Sequence, residues 1–176
     1  DWSSDVCSSD LDGTDRDHFN FTDALKNKKR VEVLPGASAA ATAYVASGFA
    51  CPRYYFGGFF PRKEGERARV LASLENLPAV LVFFESPNRI ASALGVVARA
   101  YPLRRVAVCR ELTKLHEEVV RGTAPEVAAE FATREAQGAI KGEIVLVIAG
   151  ADREEILGEE RKKWENISVR EHFEGY

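Results

Sequence analysis

The densest group of chemically active side chains lies in one segment, residues 110–118, which reads RELTKLHEE. Arg110 and Lys114 carry the positive charge that binds phosphates. The same segment holds three candidate proton acceptors, which are Glu111, His116 and Glu117. Alternating charges are also typical of a solvated loop whose ion pairs each contribute about 0–1 kcal/mol, and an isolated histidine is more often structural than catalytic.

A second polar group follows the apolar run at 79–84. Glu85, Ser86, Asn88 and Arg89 place a carboxylate, a hydroxyl, an amide and a guanidinium close together in the chain. That density indicates a binding site at the end of a strand. The alternative is a capped helix start with Arg89 in solvent, and the two interpretations are about equally favoured.

Basic residues also follow an aromatic run. Residues 54–60 read YYFGGFF, and Arg62 and Lys63 come directly after Pro61. Aromatic rings stack on exposed bases and basic side chains bind phosphates, so this combination suits RNA. Spacing alone favours a simpler interpretation, a surface loop after a core strand.

A run of small residues, PGASAAA at 35–41, is the last candidate. Small side chains leave the N–H groups of a helix N-terminus open to a ligand. Close packing of a helix on a sheet explains the same residues. That explanation is favoured on its own, because the sequence contains neither a G-x-G-x-x-G nor a Walker motif.

Short β-rich runs alternate with helical stretches from residue 31 to residue 149, which predicts an α/β fold. Strands are predicted at 31–34, 54–60, 79–84, 105–109, 118–121 and 144–149. Helices are predicted between Ser38 and Gly48, at 64–74, from Pro87 to about Arg99, and from Thr123 to about Ala136, where Thr123 and Glu126 form a capping-box pattern. Because ligands of open α/β sheets bind where strands end, the loops after the strands are expected to converge on one cavity.

Composition places the chain among ordinary soluble proteins. Its 176 residues are 45% hydrophobic and 29% charged, which excludes collagen-like, coiled-coil and wholly disordered classes. The net charge is −3, so any contact with nucleic acid has to be a local basic patch. The 3 cysteines form no CxxC pair, and no apolar run approaches the roughly 20 residues that span a bilayer. We therefore expect a cytoplasmic protein without a metal site or a membrane segment.

Charge and pattern divide the chain into three regions. Residues 1–30 are polar, and residues 1–11 resemble a translated sequencing adapter, so we expect a non-native or disordered leader. Residues 31–150 hold nearly all the apolar runs and form the folded body. Residues 151–176 are charged and helix-prone, with few apolar anchors.

Five segments, in this order, resemble the tetrapyrrole methylase superfamily. They read VEVLPGASAA (31–40), FGGFFPRK (56–63), LVFFESPNRI (81–90), RRVAVCRELTKLHEEVVRGT (104–123) and KGEIVLVIAG (141–150). Within the superfamily they are similar to the bacterial ribose 2′-O-methyltransferases of 16S rRNA. The tail at 164–176 is similar to the start of the C-terminal helical extension of those enzymes.

The resemblance implies a two-lobed α/β fold, of which this chain is mainly the C-terminal lobe, a mixed sheet flanked by helices, with the N-terminal lobe largely missing. It also implies a homodimer that uses S-adenosyl-L-methionine to methylate a cytidine ribose in 16S rRNA of the small ribosomal subunit. The implied donor-site residues are Ser38, Ala39, Glu85 and Leu112, the last through its backbone. The implied contacts to RNA phosphates are Arg62, Lys63, Arg89, Arg110 and Lys114.

Two departures limit what the resemblance implies. The family usually has His where this chain has Asn88, and the glycine-rich loops of the first lobe are expected to be missing. We therefore expect the chain alone to have little or no activity. Two alternatives stay open: a non-catalytic RNA-binding or dimerisation fragment, and methylation of a tetrapyrrole of precorrin or uroporphyrinogen type or of a protein side chain. The basic loops favour RNA, because phosphates require more Lys and Arg than ring carboxylates do.

Overall fold

The computed structural model describes Lys28 and residues 36–151. The chain divides into two compact units, Asp1–Gly36 and Ala37–Tyr176, and nearly all described residues belong to the second. The predicted strand at 31–34, the leader apart from Lys28, and the tail at 152–176 lie outside the described residues. No helix of the described part has the length and apolar character needed to cross a bilayer.

Helices and strands alternate along residues 36–151. In chain order they are α1 (Ala39–Ser47), β1 (Tyr54–Phe59), α2 (Glu64–Ser73), β2 (Val80–Glu85), α3 (Ile90–Ala100), β3 (Arg105–Arg110), β4 (Glu118–Thr123), α4 (Ala124–Ala136) and β5 (Ile144–Ile148). The predicted elements within these residues are confirmed, with ends that differ by at most 3 residues. The α/β prediction is confirmed with them.

The five strands form one mixed sheet in the order β1-β2-β5-β3-β4. β1 runs parallel to β2, and the other neighbours are antiparallel. β1, β2 and β3 therefore end at the same edge of the sheet, which we call the upper edge. There Glu85 and Arg110, the last residues of β2 and β3, both pair with Ile144, the first residue of β5.

Alternation along the strands divides the core between the two faces of the sheet. On one face, Leu81, Val108 and Leu146 pack against α2, α3 and α4. The other face packs against α1 through Ala40 and Ala43, which are both buried. The small residues of α1 thus bring the helix close to the sheet, as the packing interpretation of residues 35–41 predicts.

β1 is an edge strand with a bulge at its two glycines. A Cβ atom on Gly57 would lie 2.2 Å from the Phe83 ring, so this position has no room for a side chain. The register with β2 shifts between Phe56 and Phe59. As a result both of these rings pack edge-on against Phe84, on the α1 face and towards the upper edge.

The start of α3 differs from the sequence prediction. Pro87 is predicted in the first helical turn, but α3 begins at Ile90 and Pro87 lies in a turn before it. The Ser86 carbonyl accepts hydrogen bonds from the N–H groups of both Arg89 and Ile90. Arg89 also pairs with Glu85, and this contact closes the turn before the helix begins.

Candidate functional site

The upper edge gathers the polar segments that the sequence analysis identified. The loops that follow β1, β2 and β3 all leave the sheet there. Tyr44, near the end of α1, stacks on Tyr54, the first residue of β1, with ring centroids 5.0 Å apart. Because the end of α1 thus lies over the opposite edge, the start of α1 points towards the upper edge.

The start of α1 is open to solvent. Ser38 is the N-cap, and its Oγ accepts a hydrogen bond from the Ala41 N–H at 3.4 Å. Ser38 and Ala39 are both exposed. Leu112, from the loop after β3, packs with the same cluster as α1. The structure therefore brings three of the four predicted donor-site residues to the α1 face of the sheet.

Glu85, the fourth predicted donor-site residue, lies on the opposite face. Its side chain is 0% exposed and sits between two arginines, Arg67 at 3.2 Å and Arg89 at 2.7 Å. Its Oε1 also accepts the Ser86 N–H at 2.7 Å. We call Arg67, Glu85 and Arg89 the buried triad. The Glu85 carboxylate thus contacts Arg67, Arg89 and Ser86 of this same chain. A role for Glu85 in a donor site stays a prediction.

Arg67 is not among the site residues predicted from the sequence. Its side chain is 2% exposed, and its nitrogens donate to the Pro61 carbonyl at 2.6 Å, to Ser92 Oγ at 3.1 Å and to Glu85. A buried guanidinium is tolerated when its donors are satisfied in this way. The available signal was helical spacing, since Arg67 lies on the same face of α2 as Leu71.

A second cluster follows β3 on the α4 side of the sheet. The Glu118 carboxylate pairs with Arg110 at 3.0 Å and with Arg134 at 2.9 Å. The Arg134 hydrogen bonds are the main cause that lowers the pKa of Glu118. We call Arg110, Glu118 and Arg134 the β4 network. Here too a predicted RNA contact, Arg110, is already paired with a carboxylate.

Glu111 and Lys114 form a third group with Glu143. Glu111 Oε1 accepts the Glu143 N–H at 2.7 Å, and Lys114 Nζ lies 3.3 Å from Glu111 and 3.1 Å from Glu143. The Glu143 N–H is the main cause that lowers the pKa of Glu111, while the Glu143 carboxylate raises the pKa of Lys114. A lowered pKa makes Glu111 a weaker proton acceptor.

The other two candidate proton acceptors lie in the same loop. Glu117 Oε2 accepts the Thr113 N–H at 2.7 Å. His116 is exposed, next to Leu115, whose side chain is 92% exposed. The roles of these residues in proton transfer stay predictions.

The five predicted phosphate ligands differ in their electrostatic surroundings. Arg89, Arg110 and Lys114 pair with carboxylates at 2.7–3.3 Å. Lys63 is exposed and lies 3.6 Å from Glu66, and exposed Arg62 has no ion pair or hydrogen bond with any residue in 36–151. The loop after β1 therefore carries the least compensated positive charge of the three loops.

An open pocket of about 500 Å³ lies between the start of α3 and the end of α4. Its lining residues are Pro87, Asn88, Glu135, Gly138, Ile140 and Lys141. Asn88 is the position at which the resemblance implies a histidine in the family. The structure thus places that departure at a concave surface of the upper edge.

Residues 17–128 match the family of Tetrapyrrole (Corrin/Porphyrin) Methylases. The chain belongs to this family. The match confirms the resemblance and contains four of the five segments that carry it, and it covers α1 to β4 and the first residues of α4.

Curated relatives place this tetrapyrrole methylase chain more narrowly. It is 39% identical over 143 residues to Ribosomal RNA small subunit methyltransferase I of Bacillus subtilis (strain 168), covering 81% of this chain and 47% of that protein. It is 47% identical over 122 residues to the protein of the same name from Mycobacterium bovis, covering 69% of this chain and 41% of that protein. The chain thus spans about half the length of the curated relatives it matches.

Solved structures show the same fold. The methyltransferase CobJ has a TM-score of 0.52 at 17% identity, over 74% of this chain and 57% of that one. Diphthine synthase has a TM-score of 0.52 at 13% identity, over 73% of this chain and 52% of that one. The mixed sheet flanked by helices is therefore shared with these two proteins.

Proposed function

We propose that this chain is part of an S-adenosyl-L-methionine-dependent methyltransferase that modifies a cytidine ribose 2′-hydroxyl of 16S rRNA. One observation carries the proposal: the upper edge of the sheet combines an open helix start with a basic loop whose charge is only weakly compensated. Relatives named Ribosomal RNA small subunit methyltransferase I, at 39–47% identity, support RNA as the substrate. The proposal concerns the whole protein, because this chain spans about half of those relatives.

The α1 face of the upper edge suits the methyl donor. S-Adenosyl-L-methionine supplies an electrophilic methyl group on a sulfonium. The exposed first turn of α1, at Ser38 and Ala39, offers N–H groups beside small side chains. The Leu112 N–H and C=O have no hydrogen-bond partner among residues 36–151, so they offer one donor and one acceptor. These residues fit a polar nucleoside ligand.

The residues of this chain contribute mainly by alignment. Holding a ribose hydroxyl in line with a methyl group, with water excluded, lowers the barrier by roughly 7–11 kcal/mol. Leu112 would orient the donor, and the loop after β1 would orient the RNA. Glu111, with its lowered pKa, is poorly suited to remove the hydroxyl proton at neutral pH.

The loop after β1 suits the RNA. Arg62 and Lys63 are exposed and weakly compensated. Phe59, just before them, is 44% exposed at the upper edge, and Phe56 is 41% exposed on the same face. Exposed rings beside free cations bind single-stranded nucleotides by stacking and charge. We place the main RNA contact here rather than at Arg89, Arg110 or Lys114.

Donor binding is tested by titrating the chain with S-adenosylhomocysteine in a calorimeter. Ala39→Leu fills the open start of α1, so we expect about a tenfold loss of affinity or more. Val45→Leu is the matched control, because Val45 is 74% exposed on the same helix and its replacement leaves the site untouched. Equal affinities for the two variants, or no binding by the unmodified chain, would contradict the proposed donor site.

RNA binding is tested by the salt dependence of the affinity for a single-stranded fragment of small-subunit rRNA. Arg62→Ala and Lys63→Ala should each reduce the slope of log K against log salt by about 0.7. Arg53→Ala is the control, because Arg53 is an exposed cation at the opposite edge of the sheet. If Arg53→Ala reduced this slope more than Arg62→Ala and Lys63→Ala do, the RNA would bind elsewhere. A slope near zero would favour a tetrapyrrole or protein substrate.

A second candidate is an RNA-binding or dimerisation module without catalysis. The coverage of about half of each relative favours it, because a donor site shared between two lobes is incomplete in one of them. RNA affinity without S-adenosylhomocysteine affinity would support this candidate. We further propose that the whole protein is cytoplasmic and forms a homodimer. Light scattering of the purified protein would test the homodimer, and cell fractionation would test the location.

A further inference from the structure

The loop between β3 and β4 contains two residues in a backbone conformation that L-residues rarely adopt. Glu111 and Thr113 have φ angles of 49° and 65°. Such a conformation costs of order 1–3 kcal/mol, and it is especially unfavourable for a branched side chain such as threonine. Leu112 lies between them. Its side chain packs on the α1 face, while its peptide groups have no partner within residues 36–151.

Side-chain carboxylates hold both strained residues in place. The Glu111 N–H donates to the Glu143 carbonyl at 3.0 Å, and the Glu111 carboxylate accepts the Glu143 N–H at 2.7 Å. Lys114 adds an ion pair to the same carboxylate. The Thr113 N–H donates to Glu117. The loop after β3 is thereby fastened to the segment that leads into β5.

A glycine makes room for this fastening. Gly142 has a φ of 90°, and a Cβ atom there would lie 2.5 Å from Glu111 Cγ. Gly138, in the same connection between α4 and β5, has a φ of 64°, but a Cβ atom at that position would meet open space. The positive φ angle favours glycine at both positions. Only at position 142 would a Cβ atom also collide with the Glu111 side chain.

We infer that Glu111 is a positioning residue whose carboxylate, accommodated by Gly142, fixes the Leu112 peptide at the upper edge. The inference rests on the proposed function for the identity of the ligand, a methyl donor bound beside Leu112. It assigns Glu111 a role that differs from the proton acceptor considered in the sequence analysis. We call Glu111, Gly142 and Glu143 the Glu111 clamp.

The test compares Gly142→Ala with Gly138→Ala in the full chain. Two quantities are measured: the rate of trypsin cleavage after Lys114, followed by mass spectrometry, and the affinity for S-adenosylhomocysteine. Gly142→Ala displaces the Glu111 side chain, so we expect about fivefold faster cleavage and about fivefold weaker binding. Gly138→Ala also places an alanine at a positive φ, 64° against 90° at Gly142, but its Cβ meets open space, so we expect both quantities to match those of the unmodified chain.

Substitutions of Glu111 separate geometry from charge. Glu111→Gln keeps an acceptor for the Glu143 N–H, so cleavage and affinity should stay within about twofold of the unmodified values. Glu111→Ala should resemble Gly142→Ala, and combining the two should add nothing, because both remove the same contact.

Two results would overturn the inference. One is equal cleavage rates and affinities for Gly142→Ala and Gly138→Ala, and the other is full additivity of Gly142→Ala with Glu111→Ala. If the unmodified chain binds no S-adenosylhomocysteine, the proposed donor site fails. In that case the cleavage rates alone still decide whether Glu111 and Gly142 fix the loop.

Discussion

The buried triad and the β4 network share one arrangement in two different environments. In each, a glutamate at the upper edge lies between two arginines: Glu85 in the triad and Glu118 in the network. The Glu85 side chain is 0% exposed, whereas that of Glu118 is 31% exposed. Because each glutamate has two arginine partners, we expect burial, and not the number of ion pairs, to decide how strongly each glutamate affects stability.

The physical reason is desolvation. A buried charge that loses its partner cannot recover its interaction with water, so breaking a buried pair costs about 3–5 kcal/mol. A half-exposed pair is solvated when broken, and such pairs typically contribute about 0.2–1 kcal/mol. The triad also holds several segments together, because Arg67 contacts Pro61 and Ser92 as well as Glu85.

The largest expected effect is that of Glu85→Ala. It leaves Arg67 buried without a carboxylate, so the free energy of unfolding in urea should fall by about 3–5 kcal/mol. The double variant Arg67→Met/Glu85→Leu is the control, because it removes both buried charges and should recover much of that loss. If the double variant is as unstable as Glu85→Ala, the buried charge is not the cause.

The corresponding change in the network, Glu118→Ala, should have a smaller effect. Arg110 and Arg134 are partly exposed and are solvated once the carboxylate is gone, so we expect a loss of about 1 kcal/mol in the same urea measurement. A loss as large as that of Glu85→Ala would contradict the distinction between the two clusters.

A pH series sharpens the comparison further. The pKa of Glu118 is lowered in the folded chain, mainly by the Arg134 hydrogen bonds, so its stabilisation is present above the unfolded pKa of about 4.3. That stabilisation is lost as the pH falls through the lowered folded value. The difference in unfolding free energy between the unmodified chain and Glu118→Gln should therefore be constant near pH 7 and shrink in acid. A difference that grows in acid would contradict a lowered pKa of Glu118 in the folded chain.

Salt should have the smallest effect. At 1 M ionic strength the screening length is about 3 Å, which weakens exposed ion pairs more than buried ones. The loss caused by Glu118→Ala should shrink by a few tenths of a kcal/mol between 0.1 and 1 M salt, and the loss caused by Glu85→Ala should change less. Equal screening of both would show that water reaches the triad.

Local signals in the sequence predicted most of the fold. The Glu126 carboxylate accepts the Thr123 N–H at 2.8 Å, as the capping-box pattern predicts, and α4 follows as expected. The helix α1 ends before Gly48, again as predicted, and Gly48 has a left-handed conformation. These features depend on residues a few positions apart. The predicted start of α3 was wrong, because the contact that closes the turn before it involves the buried Glu85 carboxylate.

The side-chain pairs that were not predicted join residues far apart in the sequence. Arg67 meets Glu85 across 18 residues, and Glu111 meets Glu143 across 32 residues. The Glu111–Glu143 pair cannot be identified until it is known that β5 inserts between β2 and β3. The Arg67–Glu85 pair depends on how α2 packs against β2. For this reason the sequence indicates which polar segments follow the strands, but not the partners of their side chains, and the functional roles of these segments stay predictions.

The most direct test of a donor site at the upper edge is a titration of the ¹⁵N-labelled chain with S-adenosylhomocysteine, followed by NMR. We expect the amide signals of Ala39, Leu112 and Thr113 to shift together with one dissociation constant, while that of Arg53, at the opposite edge, does not shift. Shifts confined to other parts of the chain, or no shift at millimolar ligand, would contradict a donor site at the upper edge.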